Sequence, residues 1–353
     1  MVNPVLETKK NRQRPEKEEV FKWLRRLARE NPEIFGRGGA WRITALREHQ
    51  TSSHINGAYM IDGIRIHVKY FRQTLGRTGP TYDPRKEMEA EYSSLIEYER
   101  RGFSSGRYQV IRALGINNEI DCALATLYAD GDSLQSLIID TIGGNRSPAD
   151  LYMGLELTAG ILKRIHTCMP QSYTIDTCEM FYSYMKSLLH LEELNALNGN
   201  HRRVMRNVAR WHDYRPLFEQ RGATIHGDAN PSNFKVKTGI VYALDVERSR
   251  PRRSPCTDLG CIAADLWHQF AREAKDGSIA KPFIDHFLRA YEPDNKKRKE
   301  IEAIIPFYTS QSMLKIATLG YWDRDYRQLL VSEAVRHAGE TPDKPTDEPQ
   351  NTR

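Results

Sequence analysis

The stretch His226–Asn233, which reads HGDANPSN, decides how this chain is interpreted. It places the carboxylate of Asp228 and the carboxamide of Asn233 five residues apart, directly after a His-Gly pair. A second carboxylate, Asp245, follows at the end of the apolar run 239–244, GIVYAL. Carboxylate and amide oxygens are suitable ligands for Mg²⁺, which usually keeps waters and substrate phosphates in its shell, so two protein ligands suffice. The stretch therefore predicts a magnesium site formed by Asn233 and Asp245, with Asp228 beside it.

This spacing is typical of phosphoryl transfer, which asks a protein for positioning and for positive charge around the phosphates. Asp228 is the candidate catalytic base, and Asn233 and Asp245 are candidate Mg²⁺ ligands on a nucleoside triphosphate. Segments 234–237 and 240–246 read as two short strands that would return Asp245 to the same metal. The alternative interpretation is an ordinary loop stabilised by Asx turns.

The stretch resembles the catalytic loop of the aminoglycoside phosphotransferase and choline kinase family, small-molecule kinases with a protein-kinase-like fold. Leu244–Glu247 (LDVE) is similar to the family's Asp-x-Glu motif, Asp258–Gly260 (DLG) to its Asp-Leu-Ala, and Leu162–His166 (LKRIH) to its Leu-x-x-Leu-His. The similarity covers roughly residues 40 to 290 and is strongest from 226 to 260. It implies an α+β, two-lobed protein-kinase-like fold, with a small antiparallel-sheet N-terminal lobe and a mostly helical C-terminal lobe.

Lys69 lies in the predicted strand Ile64–Phe71, where the alternation places it on the face opposite to the apolar residues. The resemblance implies that this lysine reaches the α and β phosphates of ATP and pairs with a helical glutamate. Glu91, on a helix predicted over 83–101, has the matching place, with Glu87 and Glu89 as rivals. The alternative for Lys69 is a lysine that faces solvent.

Two further nucleotide-binding segments follow from the resemblance. The segment Gln50–Gly57 would be the phosphate loop, with Ser53 and Asn56 as its candidate contacts, although it has one glycine where kinases have three. The segment 126–131 would be the hinge, where backbone groups of Leu127 and Ala129 hold the adenine edge.

The composition is that of a globular protein, with 39% hydrophobic and 28% charged residues among 353. No apolar run approaches the length needed to cross a bilayer, and the polar N-terminus is not a secretory signal. Five scattered cysteines favour reduced thiols and a cytoplasmic location. The net charge of +6 is compatible with a nucleotide substrate and does not require a nucleic acid partner.

The pattern predicts four regions along the chain. Residues 1–17 form a flexible charged tail, 18–129 the N-terminal lobe, 130–338 the helical C-terminal lobe with the catalytic loop and acceptor site, and 339–353 a second tail. Apolar periodicity predicts C-terminal helices over 148–167, 177–197, 202–219, 258–274, 278–291, 298–317 and 324–337.

The segment Glu247–Arg253, ERSRPRR, departs from the family, in which many members have Gly-Asp-Pro. Glu247, Arg248 and Arg250 are its candidate substrate contacts, since arginines recognise phosphate and carboxylate groups. The alternative is a solvated loop. A small-molecule hydroxyl acceptor that is sugar-like, polyol-like or anionic is therefore favoured over a polycationic aminoglycoside.

The motifs predict an ATP- and Mg²⁺-dependent kinase, and three rivals stay open. The first is a small atypical protein kinase, and the second is a pseudokinase or other binding protein. The third is nucleic acid association through the basic segments. The sequence does not decide between ATP and GTP or ADP as the donor, and it does not give the acceptor or the oligomeric state.

Overall fold

The structure is a computed structural model that describes residues 16–50, 54–74 and 82–340. The described residues divide into two compact units. The first contains the chain through Ser105 together with Val110–Asp130, and the second contains Gly106–Gln109 and the chain from Gly131 onward. The sequence predicts the break one residue earlier, after residue 129. The predicted α+β class, a small antiparallel sheet followed by a mostly helical remainder, is confirmed.

The first unit is a five-stranded antiparallel sheet in the order β1–β2–β3–β6–β5, with three helices. Its strands, and β4 of a second sheet, are β1 (Ile43–Gln50), β2 (His54–Ile61), β3 (Ile64–Thr74), β4 (Tyr108–Val110), β5 (Ala113–Asn117) and β6 (Ala123–Leu127). Its helices are α1 (Lys17–Glu30), α2 (Pro32–Phe35) and α3 (Pro84–Arg100).

The core of the first unit lies between α1 and one face of the sheet. The apolar stripe of α1, centred on Trp23 and Leu24, packs in one buried cluster with alternate residues of β3, Ile66 and Val68. Alternation along β3 sends Lys69 to the other face of the sheet. The sequence pattern thus gives the correct inward face of this strand.

The second unit is mostly helical. Its helices are α4 (Leu134–Ile142), α5 (Pro148–Cys168), α6 (Thr177–Glu193), α7 (His201–His212), α8 (Cys256–Glu273), α9 (Lys281–Tyr291), α10 (Asn295–Ala317) and α11 (Arg324–Ala338). A buried aromatic group joins three of these helices, since the ring of Phe307 on α10 packs against Tyr184 of α6 and Trp211 of α7. In this way α10 is fixed against its neighbours.

Short strands carry the polar motifs of the second unit. They are β7 (Asp132–Ser133), β8 (Ala223–Ile225), β9 (Phe234–Lys237), β10 (Ile240–Ala243) and β11 (Arg250–Arg253). They form one sheet in the order β4–β10–β9–β7 and a separate pair, β11–β8. The predicted hairpin at residues 237–239 is confirmed, and Thr238 and Gly239 have the positive φ values of a two-residue turn.

Three predictions of local structure were wrong. The sequence pattern of residues 108–113 predicts one strand, and the structure has two short strands, β4 and β5, in different sheets. The helix predicted over 202–219 ends at His212, and a short 3-10 turn, Arg215–Leu217, replaces its last part, because Pro216 disfavours a continuous helix. The strand predicted to reach Val246 ends at Ala243, because the backbone turns left-handed at Asp245.

The segment Glu247–Arg253 (the arginine segment) contains a strand, β11.

No helix among the described residues is long and apolar enough to span a membrane.

Candidate active site

The backbone of the loop after β8 is hydrogen-bonded to the carboxylate of Asp258, in the first turn of α8. Asp258 accepts hydrogen bonds from the backbone N–H groups of His226, at 2.7 Å, and Gly227, at 3.0 Å. It also bonds Nε2 of His166 at 3.0 Å, and the other ring nitrogen of His166 bonds the hydroxyl of Tyr291 at 2.9 Å. Burial favours the neutral acid, but the hydrogen bonds from His166 and the backbone N–H of Gly227, together with the nearby His166 and His226 rings, outweigh it and lower the pKa of Asp258. An ionised carboxylate therefore anchors the loop.

Gly227 brings a second segment against this loop. Its φ is +82°, and a Cβ at this position would lie 2.1 Å from the backbone oxygen of Arg248. Only glycine combines this conformation with so close an approach. Gly227 therefore allows the backbone of the arginine segment to lie directly beside Asp228.

The predicted metal ligands are linked through the loop. The side-chain Nδ2 of Asn233 donates to the backbone oxygen of Asp228 at 2.9 Å, which leaves its Oδ1 as the atom that can ligate a cation. The backbone oxygen of Asn233 accepts the N–H of Leu244 at 2.8 Å, so the next residue, Asp245, begins beside it. Asp245 has φ 50° and ψ 54°. A left-handed aspartate directly after a strand is a strained conformation of the kind that clusters at functional sites.

Oxygen donors of this type suit Mg²⁺. Within the described part of the chain, no group of three or more His, Cys, Asp or Glu side chains could hold a metal ion. The pair Asn233 and Asp245 combines an amide with one carboxylate, and a Mg²⁺ bound by these two residues would complete its shell with phosphates and waters. The oriented amide oxygen fits such an ion.

Asp228 itself forms an ion pair that the sequence does not predict. Nζ of Lys315, near the end of α10, lies 3.0 Å from Oδ1 of Asp228, and a guanidinium nitrogen of Arg248 lies 3.9 Å from the same oxygen. Burial of Asp228 favours its neutral form, but Lys315 and Arg248 outweigh it and lower the pKa of this carboxyl. Asp228 is therefore ionised at neutral pH.

A cavity of about 320 Å³ opens beside this ion pair, at the small end of the range for ligand sites. Its wall combines the loop after β8 and the arginine segment with α6, α8 and α10. The residues that contribute charged or hydroxyl groups are Asp176, Glu179, Ser183, Ser187, Arg248, Arg250, Arg253, Ser254, Thr257, Asp258, Tyr308, Ser312 and Lys315. Three of the four cations of the cavity thus lie on the segment that departs from the family pattern, and the fourth, Lys315, lies on α10.

In the first unit, Lys69 and Glu91 form a buried ion pair. Nζ of Lys69 lies 2.8 Å from Oε2 of Glu91, and the two side chains are 8% and 3% exposed. Glu89, a rival for this place, pairs instead with Arg85 at 2.7 Å. Burying two charges costs free energy, so a buried ion pair is weak evidence for stability. It instead motivates the hypothesis that the two residues have a function.

The other predicted nucleotide contacts have varied outcomes. Ser53 lies outside the described residues. Asn56 is buried within β2, opposite Lys69 of β3, so it lies in a strand and not in the predicted loop. The strands β1 and β2 both extend into the segment expected to be that loop, because their ladder continues to the pair Gln50–Ile55.

Of the predicted hinge residues, Leu127 is the last residue of β6, and Ala129 lies two residues further along the chain. The N–H of Leu127 donates to the oxygen of Arg112 at 2.9 Å. An adenine edge offers one donor and one acceptor. At Leu127 only the carbonyl could therefore serve, and the matching N–H would be that of Ala129.

The predicted substrate contacts Arg248 and Arg250 both line the cavity. Glu247 is not part of its wall, and its carboxylate lies 3.9 Å from Nε of Arg248. Arg253, which belongs to the same predicted segment, also lines the cavity. The residue of the wall that the sequence does not indicate is Lys315. Lys315 is separated from Asp228 by 87 residues, and no local pattern could have joined the two.

The sequence matches no protein-family model and no curated protein. The structure is similar to solved structures, of which three illustrate the range. An aminoglycoside phosphotransferase APH(2″)-IIa, in a ternary complex with streptomycin and ATP, has 14% identity and a TM-score of 0.55, with coverage of 96% of this chain and 99% of that one.

A glucosamine kinase in complex with glucosamine, ADP and inorganic phosphate has 13% identity and a TM-score of 0.57, with coverage of 92% and 82%. An ethanolamine kinase from Plasmodium vivax has 11% identity and a TM-score of 0.54, with coverage of 92% and 89%. At these identities the likeness establishes the fold. The predicted fold of the aminoglycoside phosphotransferase and choline kinase type is therefore confirmed.

Proposed function

We propose that this protein is an ATP- and Mg²⁺-dependent phosphotransferase that moves the γ-phosphate to a hydroxyl group of a small molecule. The observation that carries the proposal is the position of Asp228, whose ionised carboxylate is paired with Lys315 of the cavity wall. The proposal also draws on the fold, since the three solved relatives named above are kinases or phosphotransferases with small-molecule substrates.

The residues have separate roles in the proposed reaction. Asp228 accepts a hydrogen bond from the acceptor hydroxyl and takes its proton as the new O–P bond forms and the bond to the β-phosphate oxygen breaks, releasing ADP. Asn233 and Asp245 would hold the metal ion, which would supply positive charge against the phosphates. Lys69, held by Glu91, is the proposed contact of the α and β phosphates. The backbone at Leu127 and Ala129 is the proposed adenine contact.

The cavity bears on the choice of acceptor. An aminoglycoside carries several positive charges and would be favoured by acidic walls, whereas the three arginines and the lysine of this cavity outnumber its three acids. Serine and threonine hydroxyls on the same wall can bond to the hydroxyls of a polyol. A sugar-like, polyol-like or anionic metabolite is therefore the proposed acceptor.

The test is a screen of small alcohols for ADP release from ATP and Mg²⁺, with Asp228→Asn as the control. We expect the wild-type protein to release ADP with at least one acceptor, and the variant to bind the nucleotide with near-normal affinity and lose turnover by about a thousandfold or more. If Asp228→Asn kept a near-normal rate on the same acceptor, the assigned mechanism would be wrong.

The same experiment separates the rivals. A pseudokinase would give no Asp228-dependent ADP release with any acceptor, and a protein kinase would transfer phosphate to a protein or to itself. Association with nucleic acid would be salt-sensitive and would survive Asp228→Asn.

A further inference from the structure

The charges on the cavity wall do not cancel. Arg253 lies 4.0 Å from a carboxylate oxygen of Asp176 and 3.7 Å from one of Glu179, so its charge is balanced by the two acids on the α6 side. The third acid of the wall, Asp258, is bonded to His166 and to backbone N–H groups. The acids that line the cavity are therefore all engaged.

Arg250 is different from Arg253. Its guanidinium donates to the backbone oxygens of Glu247, at 3.1 Å, and Ser249, at 3.0 Å, and among the described residues it forms no ion pair with a carboxylate. Arg248, like Arg253, lies near two carboxylates, at 3.9 Å from both Asp228 and Glu247. Among the described residues, the guanidinium group of Arg250 is therefore the one on this wall whose positive charge no carboxylate balances.

The backbone fixes these arginines in place. Arg250 pairs with Ile225 of β8, three residues before Asp228, and Arg253 pairs with Ala223. The register shifts between them, at Arg252, whose φ is +58°. A bulge of this kind re-aims the side chains of a strand, and here Arg250 and Arg253 line the cavity while Arg252 does not.

We infer that the acceptor carries an oxyanion, a carboxylate or a phosphate, at a distance from its reacting hydroxyl, and that Arg250 binds this group. This inference rests on the proposed function for the role of the hydroxyl. The planar fork of an arginine matches two oxygens of a carboxylate or a phosphate. The small volume of the cavity suits a hydroxy acid or a phosphorylated alcohol better than an oligosaccharide.

The test uses four alcohols that share a three-carbon skeleton, glycerol, 3-amino-1,2-propanediol, glycerate and glycerol 3-phosphate, at constant ionic strength. Their binding to the full chain is measured by thermal stabilisation, which does not depend on turnover. We expect glycerate or glycerol 3-phosphate to stabilise the protein and the neutral and amino alcohols not to do so. The anion that stabilises the protein more identifies the oxyanion of the acceptor as a carboxylate or a phosphate.

Two variants make the test specific to the cavity. Arg250→Gln removes the proposed contact, and Arg252→Asn removes a charge from the same strand with a residue that tolerates positive φ. We expect Arg250→Gln to weaken anion binding by about tenfold or more and Arg252→Asn to leave it unchanged. Equal losses in both variants, no loss in Arg250→Gln, or no stabilisation by either anion would overturn the inference.

The inference and the proposed function can fail separately. Anion binding that is lost in Arg250→Gln, without Asp228-dependent ADP release in any screen, would support the anion site and overturn the kinase. Asp228-dependent phosphorylation of neutral or amino alcohols in preference to the anions would do the opposite.

Discussion

The two units of this protein each contain a lysine–carboxylate pair of similar length but in different surroundings. Lys69 and Glu91 of the first unit are 2.8 Å apart and almost fully buried. Lys315 and Asp228 of the second unit are 3.0 Å apart, with side chains that are 51% and 25% exposed. Exposure and not distance therefore distinguishes the two pairs.

This difference indicates two uses of the same chemistry. In the buried pair, water cannot take the place of a missing partner. Loss of one side chain therefore leaves the charge of the other uncompensated. In the open pair solvent and ligands can compete for both groups, and the pair itself contributes little to stability. The first arrangement fixes a cation in one position, and the second leaves a carboxylate accessible beside a cavity.

The largest effect is expected for Lys69→Met. The carboxylate of Glu91 would be left buried without its partner, and we expect the free energy of unfolding to fall by about 3–5 kcal/mol. Turnover should fall by about a hundredfold or more, because the proposed phosphate-binding cation is lost. Chemical denaturation and ADP release measure the two effects.

The double variant Lys69→Met/Glu91→Gln is the control. Because it removes both charges, it should recover most of the lost stability and none of the lost turnover. A single variant that is destabilised by less than about 1 kcal/mol would mean that the pair is not isolated from solvent as described.

A smaller effect on stability is expected for Asp265 on α8, a second acid whose pKa is influenced by the positive charge of Lys315. Burial, with the added charge of Asp228, raises the pKa of Asp265 from 3.8 to about 7. A folded-state pKa above the unfolded value means that stability is greatest at low pH and falls as the pH rises from about 4 to 7.

Asp265→Asn removes this pH-dependent cost. We expect the variant to be more stable than the wild type at pH 8, with the difference shrinking toward pH 4. Thermal unfolding across this pH range tests it. A constant difference at all pH values would show that packing and not ionisation is responsible.

The smallest effect on stability is expected for Lys315→Met, within about 1 kcal/mol because the pair is open to solvent. Its signature is instead in the pH profile. Since Lys315 lowers the pKa of Asp228, its loss should raise that pKa. The acidic limb of kcat/KM should therefore move to higher pH, because the base acts when ionised. Lys315→Arg should keep the wild-type limb, and an unmoved limb in Lys315→Met would show that the two groups are not coupled.

The sequence predicts the parts of the site that depend on local pattern. The hairpin that carries Asn233 toward Asp245 follows from alternation and a two-residue turn, and Lys69 follows from the apolar face of its strand. The pairing with Glu91 requires long-range geometry, but the resemblance to a family supplied it. The hairpin and the position of Lys69 can be predicted because each depends on a few residues that are close in sequence.

The sequence does not predict the parts that depend on tertiary packing. The strand β11 has four polar or proline residues, RPRR, and forms only because β8 offers its edge. Lys315 reaches Asp228 because buried aromatic residues fix α10, not because of any motif. The loop expected over Gln50–Gly57 is shortened for a similar reason, since cross-strand pairing extends both strands.

The most direct test of the central claim is a titration with ATP, with and without Mg²⁺, of the wild-type protein and the variants Asp245→Asn and Asp228→Asn. We expect Mg²⁺ to strengthen ATP binding to the wild type and to Asp228→Asn, and to give little or no strengthening in Asp245→Asn. Equal metal dependence in all three proteins, or no binding of ATP to any of them, would contradict the assignment of Asn233 and Asp245 to a metal-bound nucleotide.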